Sequence, residues 1–146
     1  MDILVDSNVI IDIATEDREW FQWSSEILAY YGNNHVLTIN PVIYAEVSIG
    51  FTRIEKVEEI TPPAFFRRAQ LPWEAAFLAG KCFLKYRRKG GKRRSPLPDF
   101  YIGAHALITG MALMTRDSSR YRTYFSKLFL ISPEGAGHAW TYVVMT

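Results

Sequence analysis

Cysteine is almost missing from this 146-residue chain, where Cys82 stands alone. One thiol excludes a disulfide framework within the chain, and its apolar helical surroundings predict a small core residue in a reducing compartment. Histidine is nearly as scarce, and His35, His105 and His138 lie far apart, which disfavours a zinc site. Long hydrophobic runs are lacking too. The longest charge-free stretch, residues 27–45, is interrupted by Gly32-Asn33-Asn34-His35 and Pro41, so it does not span a membrane. The N-terminus has an acid at Asp2 and no basic segment, which argues against a signal peptide and for a cytoplasmic protein. Repeats, low-complexity tracts and interdomain linkers are absent. What is present is ordinary globular composition, 49% apolar and 22% charged, in a length suited to one domain over residues 1–146. The net charge of +2 says little until its distribution is considered.

The chain is organised around its opening, Met1-Asp-Ile-Leu-Val-Asp-Ser-Asn-Val-Ile-Ile-Asp12. Ile3-Leu4-Val5 reads as a strand buried on both faces. Asp6, Ser7 and Asn8 then open a helix, so a carboxylate stands at the C-terminal end of a strand, where open α/β sheets place their ligand crevices. Asp6 could equally serve only as a helix cap.

Further short strands are expected at Val36–Ile39, Ala112–Thr115 and Leu128–Ile131, alternating with helical patterns. Trp20, Trp23, Ile27 and Tyr31 recur at helical spacing, as core or as a groove for a partner. The helix after Asn40-Pro41 is almost wholly apolar and should be buried, whereas Arg53–Ile60 should be a short surface helix. Residues 61–72 carry little periodic signal. Trp73, Ala76, Phe77, Gly80, Phe83 and Leu84 share one helical face, and a buried helix opens at Asp99 and closes at Gly110. The tail beyond Pro133, with Trp140–Val144, could add an edge strand or an oligomer contact. Strands alternating with helices predict an α/β fold, a parallel sheet of four to five strands in a three-layer α/β/α arrangement.

Four acids share an unusual setting. Asp6, Glu46 and Asp99 are isolated charges on apolar elements, and Asp117 directly follows an apolar strand. Isolated charges on buried elements are costly unless paired or bound to a metal. In a parallel sheet all four can face one crevice, where a divalent cation is the simplest compensation for their repulsion. Oxygen-only ligands suit Mg²⁺ or Mn²⁺.

The blocks Val5-Asp6-Ser7-Asn8-Val-Ile-Ile-Asp12, Asn40-Pro-Val-Ile-Tyr-Ala-Glu46-Val, Pro98-Asp99-Phe-Tyr-Ile-Gly-Ala-His-Ala106 and Leu113-Met-Thr-Arg-Asp117-Ser-Ser-Arg-Tyr121 resemble, in order and spacing, the signature blocks of PIN-domain ribonucleases. Within these the chain looks most like VapC toxins of bacterial toxin–antitoxin pairs, over residues 2–133. The resemblance implies an Mg²⁺- or Mn²⁺-dependent endoribonuclease acting on RNA, usually a homodimer, held inactive by a small VapB antitoxin. It implies Asp6, Asp99 and Asp117 as metal ligands, and Glu46 as the group that orients a water or holds a second ion. Ser7, Asn8 and Thr115 would fix the carboxylates. A haloacid-dehalogenase-like phosphatase also opens strand-then-Asp, but needs a second Asp where this chain has Asn8. A non-catalytic PIN-like RNA-binding module is the other alternative.

Between Glu74 and Asp99 there is no acid, while Lys85, Arg87, Arg88, Lys89, Lys92, Arg93 and Arg94 crowd together; Arg116, Arg120 and Arg122 flank Asp117. A basic helix end can be plain solvated surface. It can also be a phosphate track to the acidic crevice, with Arg88, Lys92, Arg93, Arg94, Arg116 and Arg120 as RNA contacts.

Overall fold

A sheet runs through the middle of the molecule. The computed structural model describes residues 1–133 and the backbone of residues 142–145. In chain order the elements are β1 (Asp2–Val5), α1 (Ser7–Ala14), α2 (Phe21–Gly32), β2 (Val36–Ile39), α3 (Pro41–Ser48), α4 (Ile54–Ile60), β3 (Phe66–Arg68), α5 (Trp73–Arg88), α6 (Pro98–Thr109), β4 (Ala112–Met114), α7 (Ser119–Tyr124), β5 (Leu130–Pro133) and β6 (Tyr142–Met145). The strands lie in the order β3-β2-β1-β4-β5-β6. The first five are parallel, and β6 runs antiparallel along β5. The result is the expected three-layer α/β/α architecture. The tail does add an edge strand at Tyr142–Met145, while Trp140 and His138 lie outside the described residues.

Strand order decides where a site can form. From β1 the chain moves outward to β2 and β3 on one side, and β4 and β5 lie on the other. The C-terminal ends of β1 and β4 therefore flank the point at which the winding reverses, the usual crevice of an open α/β sheet. Asp6 follows β1 and Thr115 to Asp117 follow β4. The strands are continuous apolar runs because both faces are covered. Ile3, Leu4, Val5, Leu113, Met114 and Ile131 are all fully buried, the pattern of strands sandwiched between helices.

Three details differ from the sequence reading. The silent stretch 61–72 holds β3, a three-residue edge strand of which only Phe66 is buried, too short for a period to register. Helix α3 is less buried than its composition suggests: Ile43 and Val47 face the core, but Ile49 just beyond it is 85% exposed. Helix α5 presents the face of Trp73, Phe77, Gly80 and Leu84 outward and buries Ala75, Ala79 and Cys82 instead. Small inward residues let α5 lie close against α6, with which it makes its main packing, so the large ones must point away. The free Cys82 is a buried core residue, as expected, and α4 is a surface helix with only Val57 fully buried. Among the described residues, no helix is long and apolar enough to cross a membrane.

Helix α6 is held from two sides. Gly110 closes it with φ 72°, a left-handed cap that favours glycine. Gly103 lets the buried Phe125 ring approach so closely that a Cβ there would stand 2.5 Å from it. We expect Gly103→Ala to lower stability by about 1–3 kcal/mol through this clash, read as a fall in the urea midpoint. An unchanged midpoint would show that the ring can move aside.

Candidate active site

Asp6 is the N-cap of α1: it is extended, and its Oδ1 accepts the backbone N–H of Ser7 at 2.8 Å. A cap alone needs no more, and commonly sits at the surface. Here the residue is 4% exposed, and Oδ2 accepts the hydroxyls of Thr115 and Tyr121, each at 2.9 Å. Capping and site placement are thus two uses of one carboxylate. Asn8 links the first turn of α1 to the end of β4, donating to Thr115 Oγ1 at 3.1 Å and accepting the Arg116 N–H at 3.3 Å.

The other acids arrive on separate elements. Glu46 is half-buried on α3, and its Oε1 accepts the Ser7 hydroxyl at 2.8 Å, so Ser7 bonds both Asp6 and Glu46. Asp99 follows Pro98 in the first turn of α6 and does not cap the helix; Leu97 occupies that position. Its carboxylate faces Arg120 Nη1 at 3.7 Å. Asp117 is exposed beyond β4, where its N–H donates to Thr115 Oγ1 at 3.2 Å and its carboxylate accepts from Ser119 at 3.3 Å.

Electrostatics shows that these acids share one field. Burial pushes Asp6 up to about 7; the Thr115 and Tyr121 hydroxyls oppose the rise, and the charges of Asp99 and Glu46 add to it. Burial likewise raises Glu46, against the bond from Ser7 and with help from Asp99. Asp99 is raised chiefly by burial, with Arg120 opposing and Asp117 reinforcing. Tyr121 is held well above its ordinary value by burial and by Asp6, Asp99 and Glu46, so it remains a neutral donor at physiological pH.

The donor set is oxygen throughout. Among the described residues no three carboxylate, imidazole or thiol side chains are already drawn to ligand spacing around a point, so the site is a crevice lined with acids rather than a closed cage. Such a crevice could hold a divalent cation that keeps several of its waters, with Asp6, Asp99, Asp117 and Glu46 as the carboxylates at hand. It offers nothing to favour zinc.

Three features escaped the sequence reading. Tyr121 bonds the buried Asp6 carboxylate, and its only signal was its place in the block that carries Asp117. Asn40 caps α3 through Oδ1 while its Nδ2 stands 2.9 Å from His105 Nδ1, which joins the helix carrying Glu46 to the helix carrying Asp99. Burial lowers the His105 pKa, so the ring is neutral at physiological pH and accepts at Nδ1. Asp12 is a further buried acid, 1% exposed, compensated by the Ser24 hydroxyl and by Arg116 Nε, each at 2.8 Å.

That last contact alters the expected role of Arg116. Its guanidinium lies over the Trp20 ring and is committed to Asp12, because a buried carboxylate requires a partner. Trp20 packs edge-on against the buried Trp23, so this aromatic group belongs to the fold, with Ile27 and Tyr31 also buried. Arg88 sits in the last turn of α5, and Lys92, Arg93 and Arg94 are exposed in the segment leading to α6. Arg120 lies over the rings of Tyr86 and Phe100, so the end of α5 and its basic extension are anchored beside Asp99.

Two outcomes follow. Unfolded Asp6 titrates near 4 and folded Asp6 near 7, so between these values the folded state binds more protons. Stability of the metal-free protein should therefore fall as pH rises through that window and level off above it. Tyr121→Phe removes an opposing hydrogen bond and should extend the fall to higher pH; a flat melting profile from pH 5 to 8 would contradict this. Separately, Arg116→Met strands Asp12 and should cost about 2–4 kcal/mol, at or below the figure for a fully buried pair because Arg116 is 30% exposed. Denaturant titration checks it, and a loss under about 1 kcal/mol would mean that Asp12 is satisfied without it.

The profile of the PIN domain matches residues 3–126. No curated protein matches the sequence. Among solved structures, the chain is similar to VapBC2 of Rickettsia felis bound to a promoter DNA fragment, with TM-score 0.70 at 15% identity over 92% of this chain and 100% of the other. It is also similar to VapBC-1 of nontypeable Haemophilus influenzae, with TM-score 0.67 at 19% identity over 90% and 98%. A third likeness is to the PIN domain endonuclease Utp24, with TM-score 0.55 at 13% identity over 99% and 93%. At these identities the structural likeness speaks for the fold, but the profile spans most of the chain, from β1 to the end of α7. With four acids at the reversal point of such a sheet, the chain belongs to the PIN-domain family.

Proposed function

We propose that this protein is a VapC-like endoribonuclease dependent on Mg²⁺ or Mn²⁺, the toxin of a toxin–antitoxin pair, acting as a homodimer and silenced by a small VapB-like antitoxin. One observation carries the reading: Asp6, Glu46, Asp99 and Asp117 come from four separate elements, with Asp99 raising both Asp6 and Glu46 and itself raised by Asp117. A purely structural module has no use for that repulsion. The solved VapBC complexes of the same fold support the toxin assignment and the antitoxin partner.

A bound divalent cation supplies charge neutralisation at the phosphate and a water acidic enough to attack at neutral pH. The residues of this chain do the rest. Ser7, Thr115 and Tyr121 hold Asp6 in one orientation, so its carboxylate is preorganised. Glu46, pinned by Ser7 and raised by burial, orients the attacking water and can accept its proton. Arg120, loosely paired with Asp99, is placed to engage a phosphate oxygen. The exposed Arg88, Lys92, Arg93 and Arg94 track the RNA backbone towards the crevice.

The test is RNA cleavage with Mn²⁺ or Mg²⁺. Wild type should cut, EDTA should stop it, and Asp6→Asn and Asp99→Asn should reduce it to background while remaining folded. Charge reversal of Arg93 and Arg94 should weaken RNA binding and flatten its salt dependence. Cleavage that survives both EDTA and the two Asn variants would reject the assignment.

A further inference from the structure

A pocket opens next to the acid crevice and shares Glu46 with it. It encloses about 450 Å³ between the end of α1 and the turn that follows α3, within the roughly 300–1,000 Å³ of small-molecule sites. The lining is mostly apolar: Ile11 and Ala14 from α1, Val47 from α3, and Ile49 and Phe51 from the turn. Its polar side chains are Thr15 and Glu46, and Glu46 is the acid that Ser7 ties to Asp6. A lone exposed isoleucine needs no explanation. Ile49, however, is 85% exposed and shares its pocket with the half-buried Phe51 ring and with an acid of the site.

We propose that this pocket is a nucleobase subsite, taking the base of a nucleotide next to the phosphate that sits at the acids. The inference rests on the ribonuclease reading of the same site and adds where the RNA strand is gripped. A nucleotide's base and phosphate hang from one ribose, so a pocket that shares Glu46 with the crevice lies within a base's reach. Single-stranded RNA is recognised mainly through splayed bases laid on aromatic side chains. Phe51 supplies the ring here, and Ile49 the apolar surface beside it. No lysine or arginine lines the pocket, so a neutral ring suits it and a phosphate does not. The acids cannot choose between bases, because a cation held by carboxylates meets the backbone alone. The cations stand at the other limb of the site: Arg120 pairs with Asp99, Asp99 lies close enough to raise Glu46, and Glu46 lines the pocket. A strand that enters over Arg120 passes the acids and leaves across Glu46.

The experiment measures equilibrium binding of fluorescent RNA hexamers to the full chain in Ca²⁺, another hard cation with oxygen ligands. Homopolymers of A, C, G and U are compared with a hexamer of abasic ribose phosphate. Wild type should bind its preferred base-bearing hexamer about tenfold or more tighter than the abasic one. Ile49→Ser and Gly50→Leu should each remove most of that advantage and leave abasic binding unchanged. Ile49 is exposed, and a Cβ at Gly50, which also lines the pocket, meets no atom within 4 Å, so both variants should keep the wild-type melting temperature. Equal binding of base-bearing and abasic hexamers by wild type overturns the inference. So does a base preference that both variants retain, which would leave the pocket to a protein partner. A cleavage assay in Mg²⁺ separates the two readings. Cleavage without base-dependent binding keeps the nuclease and removes the subsite. Base-dependent binding that both variants lose, with no cleavage, keeps the subsite and removes the nuclease.

Discussion

A carboxylate taken out of water at the end of the first strand dictates much of this molecule. Asp6 keeps its place because donors from three directions meet it: Ser7 from α1, Thr115 from beyond β4 and Tyr121 from α7. Losing any one leaves a buried oxygen short of a partner, which costs on the order of 1–3 kcal/mol. The same bonds therefore fasten α1, β4 and α7 together at the reversal point of the sheet. They satisfy the oxygens of Asp6 without neutralising its charge.

Asp12, two turns along the same helix, shows what full compensation looks like here. It is as deeply buried, and it has Arg116 and Ser24 against it. Among the described residues, the one cation paired with Asp6, Glu46 or Asp99 is Arg120, at 3.7 Å from Asp99 and partly exposed. Both acids are thus handled by one chain in opposite ways. The neutralised one ties the loop of Thr115 and Asp117 to α1, while the group left in mutual repulsion faces the crevice. Retained electrostatic stress at a crevice is how functional sites commonly differ from structural ion pairs. Asn40 and His105 extend the bracing, since they join the starts of α3 and α6 and so govern the spacing of Glu46 and Asp99.

Much of this was legible in the residue order. Apolar runs ended by Asp6 and Asp117, helices opened by Asn40-Pro41 and Pro98-Asp99, and punctuation at Gly110 located four of the five parallel strands and pointed to the four acids of the candidate site. Strand β3 left no trace because three residues with one buried side chain carry no period. Tyr121 and Asp12 went unread for another reason. A phenol within an apolar pattern passes for core, and an acid near a helix end passes for surface, until their partners more than 100 positions away are known. The outward face of α5 was visible as a stripe, but which stripe packs inward depends on the neighbour, and α6 accepts the small one.

The account stands on the idea that the four acids act as one site whose repulsion a hard cation relieves. Mn²⁺ titration of the metal-free protein by calorimetry, repeated near pH 6.5 in buffers of different ionisation enthalpy, tests it most directly. Binding should occur with release of a proton, because the cation displaces the one that burial and its neighbours keep on Asp6. In Asp6→Asn both binding and release should collapse. Binding with no proton released, or binding indifferent to Asp6→Asn, would contradict it.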